Sequence, residues 1–153
     1  MQKIKWKIIA FLLGVTAAAA IAVSVFFSLR ITSERGVRVA VRDQIFSVEV
    51  ADTLEKRTLG LGERDALCQR CGMLFVFPEP IQSSFWMKGM RFPIDIIWFN
   101  SMDGRIVHIE QNISADAQSI FTTPESADRV LEINAGQVDQ FGIREGERVQ
   151  TLL

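Results

Sequence analysis

Residues Ile8 to Leu29 form a run of 22 positions without a charged side chain, preceded by Lys3, Lys5 and Lys7 and closed by Arg30. A run of that length crosses a bilayer as an α-helix. Everything downstream must then fold on one side of that membrane. The competing reading is a cleaved signal peptide, for which Ala17 to Ala20 supply small residues. Cleavage there would leave the apolar terminus Ile21-Ala22-Val23-Ser24-Val25-Phe26-Phe27, and the run exceeds the usual signal core, so an uncleaved anchor is expected. No cysteine stands just after the run to accept a lipid. The three lysines hold the short tail, residues 1–7, in the cytoplasm, which carries the C-terminal part outside the cell membrane.

Residues 30–36 read as a linker, and 37–153 are enough for one domain. Formal net charge is −1, but with the three leading lysines set aside the rest carries 14 basic against 18 acidic residues. A mildly acidic domain without a basic stripe argues against nucleic acid as a partner.

Within the domain, Val37, Val39 and Val41 alternate with polar residues, Asp43-Gln44 turns the chain, and Ile45 to Val50 alternates again, as a β-hairpin with one buried face does. Asp52-Thr53-Leu54-Glu55 opens a short helix with Leu54, Thr58 and Leu61 on one side, expected to pack on the sheet. Met73 to Phe77 is a continuous apolar run of strand length, stopped by Pro78-Glu79-Pro80. Strands are also expected at 83–87, 94–99, 105–113, 129–134 and 148–153, with one helical turn at Gln137 to Phe141 closed by Gly142. Short strands between Gly, Pro and Asp turns imply a mainly β fold: a small β-sandwich or partly closed barrel with one or two short helices, behind the single N-terminal transmembrane helix. No βαβ rhythm is visible, which argues against a nucleotide-binding open sheet.

The stretch from Phe85 to Asp95 sets Lys88, Arg91 and Asp95 among Trp86, Met87, Met90 and Phe92. Polar groups so placed belong either to an internal ion pair, such as Lys88 with Asp95, or to a binding site. Parity across the hairpin that follows extends the argument. Whether Asp103-Gly104 or Ser101 to Gly104 makes the turn, Asp95, Ile97, Phe99, His108 and Glu110 share one face. Ile94, Ile96, Trp98, Val107 and Ile109 take the other, as core. The semi-polar face is either a ligand surface or the solvent side of an antiparallel sheet. No activated nucleophile is evident, for there is no Gly-x-Ser-x-Gly and His108 has no Ser or Cys neighbour.

Cys68-Gln69-Arg70-Cys71 can close a local disulfide outside the cytoplasm. A redox-active pair ranks behind that, because the motif precedes a strand rather than opening a helix. A zinc clip ranks third, since two further ligands are needed and His108 is the one remaining strong nitrogen donor. Met73, Met87, Met90 and Met102 with His108 have the softness for Cu(I), but scattered methionines are more often packing. No metal and no cofactor is expected.

Gly72-Met73-Leu74-Phe75-Val76-Phe77, Phe85-Trp86-Met87-Lys88, Pro93-Ile94-Asp95-Ile96, Gly104-Arg105-Ile106-Val107 and Val130-Leu131-Glu132-Ile133-Asn134-Ala135-Gly136 occur in that order. In this the chain resembles the domain of unknown function family 192, over almost all of residues 37–149. The resemblance implies a small, mostly β, sandwich-like domain, often exported or membrane-anchored, with no established activity; Cys68 and Cys71 lie outside its motifs.

The expected function is that of a non-catalytic, membrane-anchored extracytoplasmic domain. It would bind a small polar ligand or envelope component through Trp86, Met87, Lys88, Asp95, His108 and Glu110. The rivals are a hydrolase or transferase acting on envelope polymers through Asp95 and Glu110, and a thiol-disulfide protein using Cys68 and Cys71.

Overall fold

The computed structural model describes residues 36–152. The expected anchor at 8–29, the tail before it and the linker up to residue 35 lie outside the described residues. Among the described residues no helix is long and apolar enough to cross a membrane. The fold is mainly β, a single curled sheet in the form of a half-barrel with a two-stranded ribbon and two short helices.

Strands β1 (Val37–Val41) and β2 (Gln44–Ala51) make the expected hairpin, and its apolar set Val39, Val41, Phe46 and Val48 is buried. Arg42 turns the chain with φ +55. Helix α1 (Leu54–Leu59) then leads into β3 (Cys71–Ile81), which runs parallel to β2. This one parallel pair, with a helix in its crossover, departs from the expectation of no βαβ unit.

The strand β3 also continues through Pro78 and Pro80 instead of ending before them. Its partner β2 is finished by Ala51, opposite Phe75, and its register with β8 (Ala127–Asn134) shifts between Val76 and Ile81. The prolines therefore occupy positions where no ladder hydrogen bond is lost.

Strands β5 (Ile94–Phe99) and β6 (Ile106–Ile113) follow, and β9 (Val149–Leu152) ends the chain. The sheet order is β6-β5-β8-β3-β2-β1-β9. The two edges meet at one end, where Val149 N donates to Gly104 O at 2.8 Å and Ile106 N to Glu147 O at 2.8 Å. A β-carbon on Gly104 would lie 2.3 Å from Val149 O, so only glycine allows this approach. Residues from all seven strands, among them Val41, Phe46, Leu74, Leu131, Ile97, Ile106 and Val149, join one apolar cluster with Val138 of α2 (Gln137–Phe141). The expected helical turn at α2 and its Gly142 cap match the structure.

A second core covers the opposite face: Met73, Phe75, Ile96, Trp98 and Val130 pack with Leu61, Met87 and Phe85. Phe85 belongs to the ribbon of β4 (Ser84–Phe85) and β7 (Phe121–Thr122). Helix α1 is not packed as expected. None of its residues is buried. It is held by polar contacts, with Thr53 Oγ1 accepting from Lys56 N and Arg57 Nη1 donating to Val76 O at 2.9 Å.

The β5–β6 hairpin overturns the parity expected from the sequence. Phe99 pairs with Ile106, but Trp98 pairs with His108, so Val107 is an extra residue. One bulged residue exchanges the faces of everything beyond it. His108 and Glu110 consequently share a face with Trp98 and Ile96, not with Asp95 and Ile97. A second register shift lies between Ile94 and Ile96, opposite Asn112 with its φ of +54. All six residues of β5 are buried, so neither of its faces is a solvent face.

Candidate functional site

Asp95 is fully buried, and its carboxylate is consumed by backbone amides. Oδ1 accepts from Asn112 N at 2.8 Å and Gly136 N at 3.1 Å, and Oδ2 accepts from Val138 N at 2.9 Å. Gly136, the residue before α2, has no side chain to cap that helix, and Asp95 supplies the cap from a neighbouring strand. The same oxygen fixes the bulge at Asn112. The carboxylate thus joins β5, β6 and α2 and does not pair with Lys88. It presents no surface to a ligand.

His108 sits between two carboxylates, with Nδ1 3.0 Å from Glu145 Oε1 and Nε2 3.2 Å from Glu110 Oε1. Glu145 Oε1 also accepts from Ile109 N at 3.1 Å, tying β6 to the loop before β9. Among the described residues no cluster of His, Cys, Asp and Glu has metal-binding geometry. Cys68 and Cys71 are joined by a disulfide. Their loop is pinned by Asn134 Nδ2, which donates to Cys68 O at 2.9 Å.

Trp86 and Lys88 do border a concave site, and Met87 beside them is core. A cavity of about 340 Å³ opens between α1, β3 and β4, walled by Phe75, Phe77, Phe85 and Trp86. Phe75, Phe85 and Trp98 stack edge to face at 4.9 and 5.7 Å, which fixes the wall from behind. Trp98 Nε1 donates to Ser83 Oγ at 3.1 Å, and Ser83 in turn lines the cavity. Asp95, His108 and Glu110 lie outside it.

The polar residue in this wall that the sequence reading passed over is Glu132. It stands on β8 between Met73 of β3 and Ile96 of β5, 5% exposed. Its Oε2 is buried without a hydrogen-bond partner. Arg64, the cation whose charge acts on it, gives Nη1 and Nη2 to the two oxygens of Glu49, the second at 2.8 Å. That pairing holds Glu49 below the usual carboxylate range and leaves Glu132 without a hydrogen bond from Arg64. Burial pushes the Glu132 carboxyl up to about 8, against a smaller opposing pull from Arg64, so at neutral pH it is mostly a neutral acid. The available signal in the sequence was one acid among Val130, Leu131 and Ile133.

A wider depression of about 560 Å³ lies near Met102, Arg129 and Arg148. Its charges are already engaged, Arg148 with Asp103 O at 3.0 Å and Arg129 with Asp128 Oδ2 at 2.9 Å.

The model of the family described as "uncharacterized ACR", DUF192, matches residues 37–151. The chain belongs to the domain of unknown function family 192. A solved structure from Sinorhizobium meliloti 1021, described provisionally as a transcription regulator, is 33% identical with a TM-score of 0.70, over 75% of this chain and 91% of that one. A protein of unknown function from Novosphingobium aromaticivorans DSM 12444 is 30% identical with a TM-score of 0.69, over 74% of this chain and 82% of that one. No curated protein matches. The DUF192 match thus covers nearly all the described residues, and the Sinorhizobium relative folds with little beyond this domain.

Proposed function

We propose that this DUF192 chain is a non-catalytic, membrane-tethered extracytoplasmic domain whose cavity beside Glu132 takes a small molecule with an apolar body and a hydrogen-bond acceptor. One observation supports this above the rest: a buried, unpartnered carboxyl oxygen in the wall of an aromatic cavity. Stability does not call for such a group, because an apolar residue of similar volume would remove its desolvation cost. Ligand sites, in contrast, combine apolar walls with a few placed polar groups. Holding its proton, Glu132 is a donor, and a carbonyl, ether or hydroxyl oxygen is the partner it lacks.

The uncharged run Ile8 to Leu29 behind three lysines supports the anchor and the outside address. The Cys68–Cys71 disulfide is in keeping with an oxidising compartment. Burial of Asp95 leaves the hydrolase or transferase reading without support, and the mildly acidic domain offers none for nucleic acid.

The test is fragment binding to residues 36–153, the unit that corresponds to the Sinorhizobium relative, followed by amide NMR shifts with cyclohexanone and 2-heptanone. Shifts centred on Gly60, Phe75 and Glu132 are expected. No shifts there, with the ketones well into the millimolar range, would overturn the reading.

A further inference from the structure

The mouth of the cavity is as unusual as its floor. Four large apolar residues on its rim are exposed: Leu54 by 76%, Leu59 by 57%, Trp86 by 54% and Ile81 by 43%. Isolated exposed apolar side chains need no explanation, but a contiguous ring around an apolar cavity marks an interaction site. The charges on the lining are one-sided. Arg57 and Lys88 are cations, and the acid lining the cavity is Glu132. Arg57 is tied to Asp52 O at 2.8 Å and to Val76 O, with its guanidinium 5.2 Å from the Phe77 ring centre. Lys88 is exposed, and among the described residues no carboxylate lies within ion-pairing distance of it.

We infer that the ligand is a single-chain anionic amphiphile, its chain lying among Phe75, Phe85 and Trp86 and across the apolar rim, its head held by Lys88 and offering the acceptor oxygen that Glu132 lacks. This rests on the cavity being a binding site. An apolar chain covers the aromatic walls and the exposed ring together, and a negative head is the partner that Lys88 lacks. A cationic head would meet two like charges and a floor that is mostly protonated at neutral pH. The head chemistry is that of a carboxylate or phosphate, carried by a free single-chain amphiphile and not by a bilayer surface.

Residues 36–153 contain two tryptophans, Trp86 at the rim and the fully buried Trp98, so a change in emission reads Trp86. Dodecanoate below its micelle threshold should shift this emission to the blue, saturating at one per chain. Dodecyltrimethylammonium should bind at least about tenfold more weakly, and Lys88→Met, at an exposed position, should weaken dodecanoate by about tenfold while leaving the urea midpoint close to the parent's. Phosphatidylglycerol vesicles separate the sources: one-to-one binding of free dodecanoate supports the inference, while vesicle binding without it assigns the rim to a lipid surface and overturns it. Equal binding of the two amphiphiles would refute the anionic class, with the cavity reading intact if cyclohexanone still enters. If neither amphiphile nor ketone enters, both readings fail.

Discussion

The Glu132 carboxyl lies beside the backbone of Gly60, where an added β-carbon would stand 4.0 Å from Oε2 and 3.4 Å from the Phe75 ring. The residue that ends α1 is thus also a wall of the cavity, and the loose helix and the buried acid are parts of one arrangement.

Gly60→Ala should cost both stability and binding. Gly60 has φ +54 and ψ −137, a combination that L residues hardly enter. A loss of about 1–3 kcal/mol in urea denaturation is expected, together with weaker cyclohexanone binding as the methyl group narrows the cavity. Unchanged values for both would remove Gly60 from the site.

Stability should fall as pH rises through the neutral range. Below about 4.5 the Glu132 carboxyl is protonated in both states; between there and about 8 the unfolded chain releases the proton and the native state keeps it. Each pH unit in that window costs the folded state roughly 1.4 kcal/mol. The slope attributable to this group should vanish in Glu132→Gln, measured by urea midpoints from pH 5 to 8.5. A parallel slope in the variant would mean that other groups cause it.

Asp95→Ala leaves the amides of Asn112, Gly136 and Val138 without their acceptor. The expected loss is at least about 3 kcal/mol. Hydrogen exchange gives the site-specific check: these three amides should exchange faster in Asp95→Asn, which retains one oxygen and more of the stability. Full protection in that variant would contradict the capping role.

Replacing Cys68 and Cys71 together by Ser removes a very short cross-link, worth about 2 kcal/mol or less in a chain-entropy account. Ketone binding should be unaffected, since neither residue lines the cavity. A change in binding would revive a functional role for the disulfide.

Alternation and turn residues made the first hairpin, α2 with its Gly142 cap, and the mainly β character legible in the sequence. Four things were not. The extra residue Val107 reversed the faces of β6, because a bulge leaves the alternation of the sequence undisturbed while changing what lies opposite what. Pro78 and Pro80 read as a strand end, but they stand where the neighbouring strands no longer require a donor. Asp95 was visible as a charge in an apolar run, yet its three amide partners come from segments that sequence spacing does not bring together. Trp86 and Lys88, singled out because charges sit inside an apolar run from Phe85 to Asp95, border the cavity. Glu132 was hidden by its apolar neighbours, and its meaning comes from what the fold withholds: Arg64 is turned toward Glu49.

The most direct test of the account is Glu132→Leu at pH 7.5, followed by urea denaturation and by cyclohexanone titration of the folded protein. The account predicts a protein more stable by about 1–4 kcal/mol, because a buried acid without a hydrogen-bond partner is replaced by an apolar side chain of similar size, and one that no longer binds the ketone. A variant that is destabilised, or that binds the ketone as the parent does, would contradict the claim that Glu132 is kept for a ligand.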